Sequence, residues 1–197
     1  MIQYHNNYPI FTSISNKLDL PSVHFLIKFL YPIIMDKFSK DDGYKQDDLT
    51  SRHLYYNIFS IRQACIYNLY KFIIVSVKKF LQETNTSYDN LYIQAWANLT
   101  TKNQKILRHK HSNTFLNGHI AINAEPSSTI YSIDGDSSNV DIINQNGQIV
   151  IAESDLSHST SIWELDQPRT TIAFEIVRNI KNHHEIAFSN FHPLYLE

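Results

Sequence analysis

Hydrophobic and polar residues change rhythm once along this chain, near residue 90. Before that point apolar residues recur at helical spacing; after it they alternate in short runs. Residues 21–35 read as a helix, with Val23, Leu26, Leu30 and Ile33 near one stripe, and Pro32 is expected to kink or divide it. Residues 56–82 read as a second, longer helix. Ile61, Cys65, Leu69, Phe72, Ser76 and Phe80 fall on one stripe, with Lys71, Lys78 and Lys79 mostly off it. Cys65 lies on that stripe and is expected to pack rather than react. Residues 8–14 suit a strand ahead of the helices, and residues 39–51, with Lys40, Asp41, Asp42, Gly43, Asp47 and Asp48, suit a solvated loop.

Beyond residue 90 the period becomes two. Leu91, Ile93, Ala95, Ala97 and Leu99 share one strand face, expected to pack on the helices. Tyr92, Gln94, Trp96 and Asn98 share the other, free to line a cavity. In residues 115–123, Asn117, His119 and Ala121 lie opposite Leu116, Ile120 and Ile122. Ile133-Asp134-Gly135 suggests a tight turn, and residues 140–143 and 148–152 suggest a hairpin about Asn146-Gly147. Residues 159–164 and 169–177 suggest a last pair joined through Asp166-Gln167-Pro168. In that last strand Ile172, Phe174 and Ile176 face one way and Arg169, Thr171 and Ala173 the other. Helices followed by at least six short strands predict an α+β chain whose strands form a sandwich or barrel. Residues 1–90 would be mainly helical support, 91–180 the β core and 181–197 a polar tail, all in a single domain over 1–197.

Composition narrows the class. The 197 residues are 43% hydrophobic and 13% aromatic, as in a globular protein. A net charge of −2 carries no nucleic-acid signal. The single cysteine excludes an internal disulfide framework and suits a reducing cytosol. The N-terminus lacks a basic stretch followed by an apolar run, and apolar runs elsewhere are too short or interrupted to span a bilayer. A soluble, cytoplasmic protein is expected. Four glycines leave no phosphate-cradling loop.

The chemistry concentrates in Arg108–Gly118. If residues 106–111 form a strand, Leu107, His109 and His111 share a face, and two imidazoles two residues apart can hold one metal ion. His158 is the best candidate for a third ligand, and Arg169 follows it. A buried arginine beside small residues such as Thr171 and Ala173 has use for an anionic partner. Three protein ligands on iron(II) leave positions open for a bidentate cosubstrate and O₂. A guanidinium fork suits the far carboxylate of a dicarboxylic cosubstrate.

The order of these motifs resembles the 2-oxoglutarate/iron(II)-dependent oxygenases, and among them a group common in phages and marine bacteria and the aspartyl/asparaginyl β-hydroxylases. The resemblance runs through Trp96-Ala97-Asn98, then His109-Lys110-His111-Ser112-Asn113-Thr114-Phe115-Leu116-Asn117-Gly118. It continues through Gly147 to His158 and ends on Arg169-Thr170-Thr171, covering roughly the C-terminal half. It implies a double-stranded β-helix (jelly roll), with the N-terminal helices packed on one sheet. It implies Fe(II) and 2-oxoglutarate as cofactors, with His109 as the first iron ligand and His158 as the distal one. Arg169 and Thr171 would hold the distal carboxylate of the cosubstrate, with Asn98 and His119 beside it, and Trp96 would line the substrate side. His111 stands where many members carry a carboxylate, which leaves two ligand sets open: three His, or two His with water. Glu153 or Asp155 would be a displaced carboxylate ligand in a further variant.

Each residue also has an ordinary reading. His109 and His111 suit a plain strand, Arg169 a surface ion pair, and Asp134 and Asp136 a turn. His183, His184 and His192 read as solvent-exposed tail residues, while His5, His24 and His53 have no nameable partner. Two other functions compete with a hydroxylase acting on a small molecule or a protein side chain. One is a cupin-like three-His metalloprotein without a keto-acid cosubstrate, against which Phe115 and Leu116 stand where a glutamate is usual. The other is a non-catalytic jelly-roll binding or structural module.

Overall fold

The computed structural model describes residues 1–39, 57–111, 114–133, 138–178 and 191–196. Two helices cover one face of a β-sandwich. The helices are α1 (Leu20–Ser39) and α2 (Ala64–Glu83); the strands are β1 (Ile2–His5), β2 (Tyr8–Ile14), β3 (Leu91–Thr100), β4 (Leu116–Asn123), β5 (Ser128–Ser132), β6 (Asn139–Ile143), β7 (Gln148–Glu153), β8 (Ser157–Thr160), β9 (Arg169–Val177) and β10 (His192–Leu194). The larger sheet has seven strands in the order β1-β2-β7-β4-β9-β3-β10, and the smaller has three, β6-β5-β8. Every strand pairing among the described residues is antiparallel.

The alternation in β3, β4 and β9 decides the layering. Their even or odd apolar sets, including Ile93, Ala95, Ala97, Ile120, Ile172, Phe174 and Ile176, pack with Val23, Ile27, Leu69, Ile73, Val77 and Phe80 of the helices in one core. A second, smaller core of Ile10, Tyr131, Ile142, Val150, Ala152 and Leu156 lies between the sheets. The opposite faces of β3, β4 and β9 therefore look into the inter-sheet space, where Gln94, Asn98, Asn117, His119, Thr171 and Glu175 stand beside Trp96, Ala121 and Ala173.

Several expected elements differ. The long helix begins only at Ala64; ahead of it Ile58–Ser60 is a 3₁₀ turn. Asn57 explains the break, because its side chain caps the turn at Phe59 N and also donates to the Ile93 carbonyl of β3. Helix α1 continues through Pro32 undivided. Cys65 is half-buried rather than central. Neither late hairpin forms. β6 pairs with β5 while β7 pairs with β2 and β4, and β8 and β9 also lie in different sheets. Gly147 makes the first crossover possible. Its φ of 84° suits glycine, its N–H donates to Ala121 O, and its carbonyl accepts from Ser15 N. His192 is not in a free tail; it is half-buried in β10, which pairs with β3. The acidic loop expected after residue 39, apart from Ser39 itself, lies outside the described residues. So do Asp134 to Asp136, His53, His183 and His184.

The segment 106–111 is not a full strand either, but it lies against β8. His109 N–H donates to His158 O at 3.0 Å, His158 N–H to His109 O at 2.8 Å, and Thr160 N–H to Ile106 O at 3.1 Å. It thus occupies the free edge of the smaller sheet as a fourth, rudimentary strand. In chain order β3, this segment, β4, β5, β6, β7, β8 and β9 pass between the two sheets, the crossing pattern of a jelly roll. No helix among the described residues is long and apolar enough to cross a membrane.

Close approach at the centre of the larger sheet requires a glycine. A Cβ on Gly118 would stand 2.3 Å from Val150 O and 2.5 Å from Phe174 Cζ. The first neighbour is backbone in a paired strand and cannot yield cheaply. Gly118→Ala is expected to lower unfolding free energy by about 3 kcal/mol or more, or to prevent folding, read by denaturant titration. A change below about 0.5 kcal/mol would show that β4 and β7 are not packed this tightly.

Candidate metal and cosubstrate site

A cavity of about 320 Å³ opens between the sheets. Its floor is a patch of cross-strand neighbours on β3, β9 and β4. Asn98, Thr171 and Ala121 are in register; Trp96, Ala173 and His119 form the next row; Gln94, Glu175 and Asn117 form the third. Small Ala173 leaves space that a bulkier residue would fill. The opposite wall is the segment 106–111 together with His158 and Thr160 of the smaller sheet.

Three imidazoles meet at one end. His109, His111 and His158 each place a ring nitrogen within 4.8 Å of the others. Their ring centroids are 4.4 to 5.1 Å apart, and the rings of His111 and His158 are nearly parallel. His109 and His158 come together because they form the bridge between segment 106–111 and β8. His109 directs Nδ1 at Leu107 O, 2.8 Å away, and His111 directs Nδ1 at the Glu175 carboxylate. A ring that donates through Nδ1 keeps Nε2 as a lone-pair ligand. Burial and the three neighbouring rings His109, His111 and His119 hold the His158 pKa well below 6.5, against a smaller opposing effect of the Leu156 backbone. His158 is therefore neutral at neutral pH, as a metal ligand must be. Three converging imidazoles fit a divalent transition metal such as iron(II). Among the described residues no carboxylate joins the cluster, so neither Glu153 nor Asp155 serves as a displaced ligand.

The other end of the cavity is cationic. Arg169 is 2% exposed, and burial lowers its pKa to about 10, which leaves it charged at neutral pH. Its Nε donates to Ser127 Oγ at 3.1 Å, while Nη1 has no hydrogen-bond partner. No acidic side chain among the described residues forms an ion pair with it. Beside it the Asn98 amide oxygen and the Thr100 hydroxyl are also buried and unpartnered. Buried polar atoms left in this state are uncommon, and three together mark a place for a polar ligand. A carboxylate matches the guanidinium in charge and shape.

Every residue expected in the site lines this cavity: Trp96, Asn98, His109, His111, His119, His158, Arg169 and Thr171. Sequence reasoning passed over Ser127 and Asn144. Asn144 Nδ2 donates to Ser127 Oγ at 2.9 Å and its Oδ1 accepts from His119 Nε2 at 3.0 Å, so one chain of hydrogen bonds orients both Arg169 and His119. It also passed over Glu175, although that residue continues the Arg169, Thr171, Ala173 face by one more step of two. His5 and His24 lie elsewhere: His5 is buried near the N-terminus, and His24 Nδ1 meets Thr170 Oγ1 at 2.9 Å.

No family model matches the chain, and no curated protein matches it by sequence. Solved structures do match. A prolyl-4-hydroxylase from Pseudomonas putida superposes with a TM-score of 0.56 at 10% identity, covering 88% of this chain and 95% of that one. The fold is the one these enzymes use. The epimerase SnoN in complex with Fe3+, alpha ketoglutarate and nogalamycin RO gives a TM-score of 0.56 at 9% identity, over 94% of this chain and 91% of SnoN. An oxidoreductase of the 2OG-Fe(II) oxygenase family from Burkholderia pseudomallei gives 0.50 at 10% identity, over 60% of this chain; the match spans only 61% of that relative.

His119 supplies a pH signature. Burial and the positive Arg169 depress its pKa from 6.5 to about 4, and the bond to Asn144 offsets only part of this. The unfolded chain takes up a proton near pH 6.5, whereas the folded metal-free protein resists until about pH 4. Stability from this group is thus complete above pH 6.5 and is lost as pH falls toward 4, by up to about 3 kcal/mol. Denaturant titrations across that range should show a decline that is shallower in His119→Gln. An identical decline in the variant would assign the effect to other groups.

Proposed function

We propose that this chain is an Fe(II)- and 2-oxoglutarate-dependent oxygenase that hydroxylates a C–H bond. The observation that carries this reading is the convergence of His109, His111 and His158 across a cavity from the buried, unpaired guanidinium edge of Arg169. The crossing pattern of the strands supports a double-stranded β-helix, and one solved structure of similar fold, SnoN, holds iron together with alpha ketoglutarate. The order of motifs in the C-terminal half favours kinship with the phage and marine-bacterial group and the β-hydroxylases.

In this reading the three imidazoles hold the iron. Arg169 binds the distal carboxylate of the cosubstrate, with the Thr171 hydroxyl beside it, and Asn98 and His119 line the same end. Bound iron and cosubstrate together supply one chemistry: O₂ and 2-oxoglutarate are consumed, succinate and CO₂ leave, and one oxygen atom enters the substrate. The protein's part is placement and exclusion of water. The network through Ser127 and Asn144 prevents Arg169 from swinging and keeps the His119 proton on Nε2, while burial and the Arg169 charge keep that ring neutral. Trp96, whose ring lies 6.4 Å from that of His111, borders the position from which a small molecule or protein side chain would approach.

Purified protein supplied with Fe(II), ascorbate and 2-oxoglutarate is expected to form succinate. His158→Ala should abolish this by losing the metal. Arg169→Ala should weaken 2-oxoglutarate binding by about two orders of magnitude or more, because a buried charge pair is lost. A cluster that holds three imidazoles and no carboxylate among the described residues also suits a three-His metalloprotein that uses no keto acid. Metal binding with no 2-oxoglutarate binding would select that second reading. No metal binding at all would remove both.

A further inference from the structure

Glu175 is a carboxylate that the proposed reaction does not yet use. It is 2% exposed, sits on the cavity face of β9 between Gln94 of β3 and Asn117 of β4, and accepts a hydrogen bond from His111 Nδ1. Burying a carboxylate is costly, and a strand centre that needed only packing would carry an apolar residue there. Its neighbours on the same face, Thr171 and Ala173, are neutral. The charge therefore needs an explanation at the cavity.

We propose that Glu175 is the positioning residue of the metal centre, supplying through His111 the negative charge that the three-imidazole ligand set lacks. This rests on the function proposed above and assigns a residue that neither the motif order nor the ligand set contains. Two physical arguments lead to it. The first is tautomeric. A carboxylate on Nδ1 keeps the proton there and aims the Nε2 lone pair at the ion, the arrangement by which outer carboxylates orient metal-bound histidines. His109 achieves the same state with a neutral carbonyl, Leu107 O, so of the two outer acceptors that of His111 alone carries charge. The second is charge balance. Iron(II) brings two positive charges and Arg169 one, while 2-oxoglutarate brings two negative charges. Neutral imidazoles leave one positive charge over on the buried floor of the cavity, before the exposed Arg108 and Lys110 at its rim are counted. An inner-sphere carboxylate would cancel it; here Glu175 cancels it from one hydrogen bond further out. The hydrogen bond also makes the His111 ring more electron-rich, which favours the oxidised ion over the reduced one.

Cobalt(II) titration of the metal-free protein, followed by visible absorption, tests this without turnover. Glu175→Gln keeps the volume and the acceptor oxygen but not the charge. It is expected to retain the wild-type circular dichroism, to bind cobalt about 10- to 100-fold more weakly, and to raise the Fe(III)/Fe(II) midpoint potential of the iron-loaded protein. A purely structural role would leave the potential of the folded variant where it was. Equal affinity and equal potential in the two proteins would overturn the proposal while leaving the metal centre standing. Wild-type protein that binds cobalt no better than His158→Ala would overturn both. If Glu175→Gln does not fold, the zinc-loaded wild type decides the matter through 15N-histidine NMR. A His111 ring with Nδ1–H and metal-bound Nε2 supports the assignment, and coordination through Nδ1 overturns it.

Discussion

Strand β9 is hydrogen-bonded along both edges, to β3 on one side and β4 on the other. In that position its pleat admits no slippage, because a shift of one residue would turn Ile172, Phe174 and Ile176 away from the helices and put Arg169 and Glu175 into their place. The apolar contacts with α1 and α2 thus hold a polar row in a buried location it would not choose. That constraint places a guanidinium at one end of the cavity and a carboxylate at the other, with only Thr171 and Ala173 between. On the helix-side face of β4, Gly118 leaves room for the Phe174 ring, since a Cβ there would strike that ring and the backbone of β7.

The stability of such a polar interior comes from partners outside the motifs. Ser127 and Asn144 lie on loops flanking the smaller sheet, yet they hold Arg169 and His119 through three hydrogen bonds. What they leave unsatisfied is as informative as what they satisfy. Arg169 Nη1, Asn98 Oδ1 and Thr100 Oγ1 all lack partners within one corner. Natural cores seldom tolerate this unless a ligand completes the set. The histidine end follows the same logic, with outer acceptors on Nδ1 of His109 and His111 and a neutral His158 between sheets.

Some of this was legible in the chain. The alternation in residues 91–99 and 169–177 is strong, and the faces read from it agree with the buried sets. The helices were legible in kind but not at their starts, because the Asn57 turn depends on a hydrogen bond to Ile93, 36 residues away. The hairpins were not legible. A glycine turn between two apolar runs looks the same whether the runs pair with each other or part into different sheets. At Gly147 the bonds to Ala121 and Ser15 choose the latter. Glu175 was missed for a different reason: an acidic residue at alternate spacing reads as a solvated position, and only the covering segment 106–111 makes it interior.

Local sterics act over two to four residues, and they alone dictate which side chains share a face. That is why the paired histidines, the Arg169 row and the two apolar stripes can be named from the order of amino acids. Which strand lies beside which is settled by burial shared among all of them at once. The meeting of His109 with His158, 49 positions apart, and of His111 with Glu175, 64 apart, is a property of the assembled sandwich. No window along the chain contains both members of either pair, so their chemistry exists only once the two sheets close.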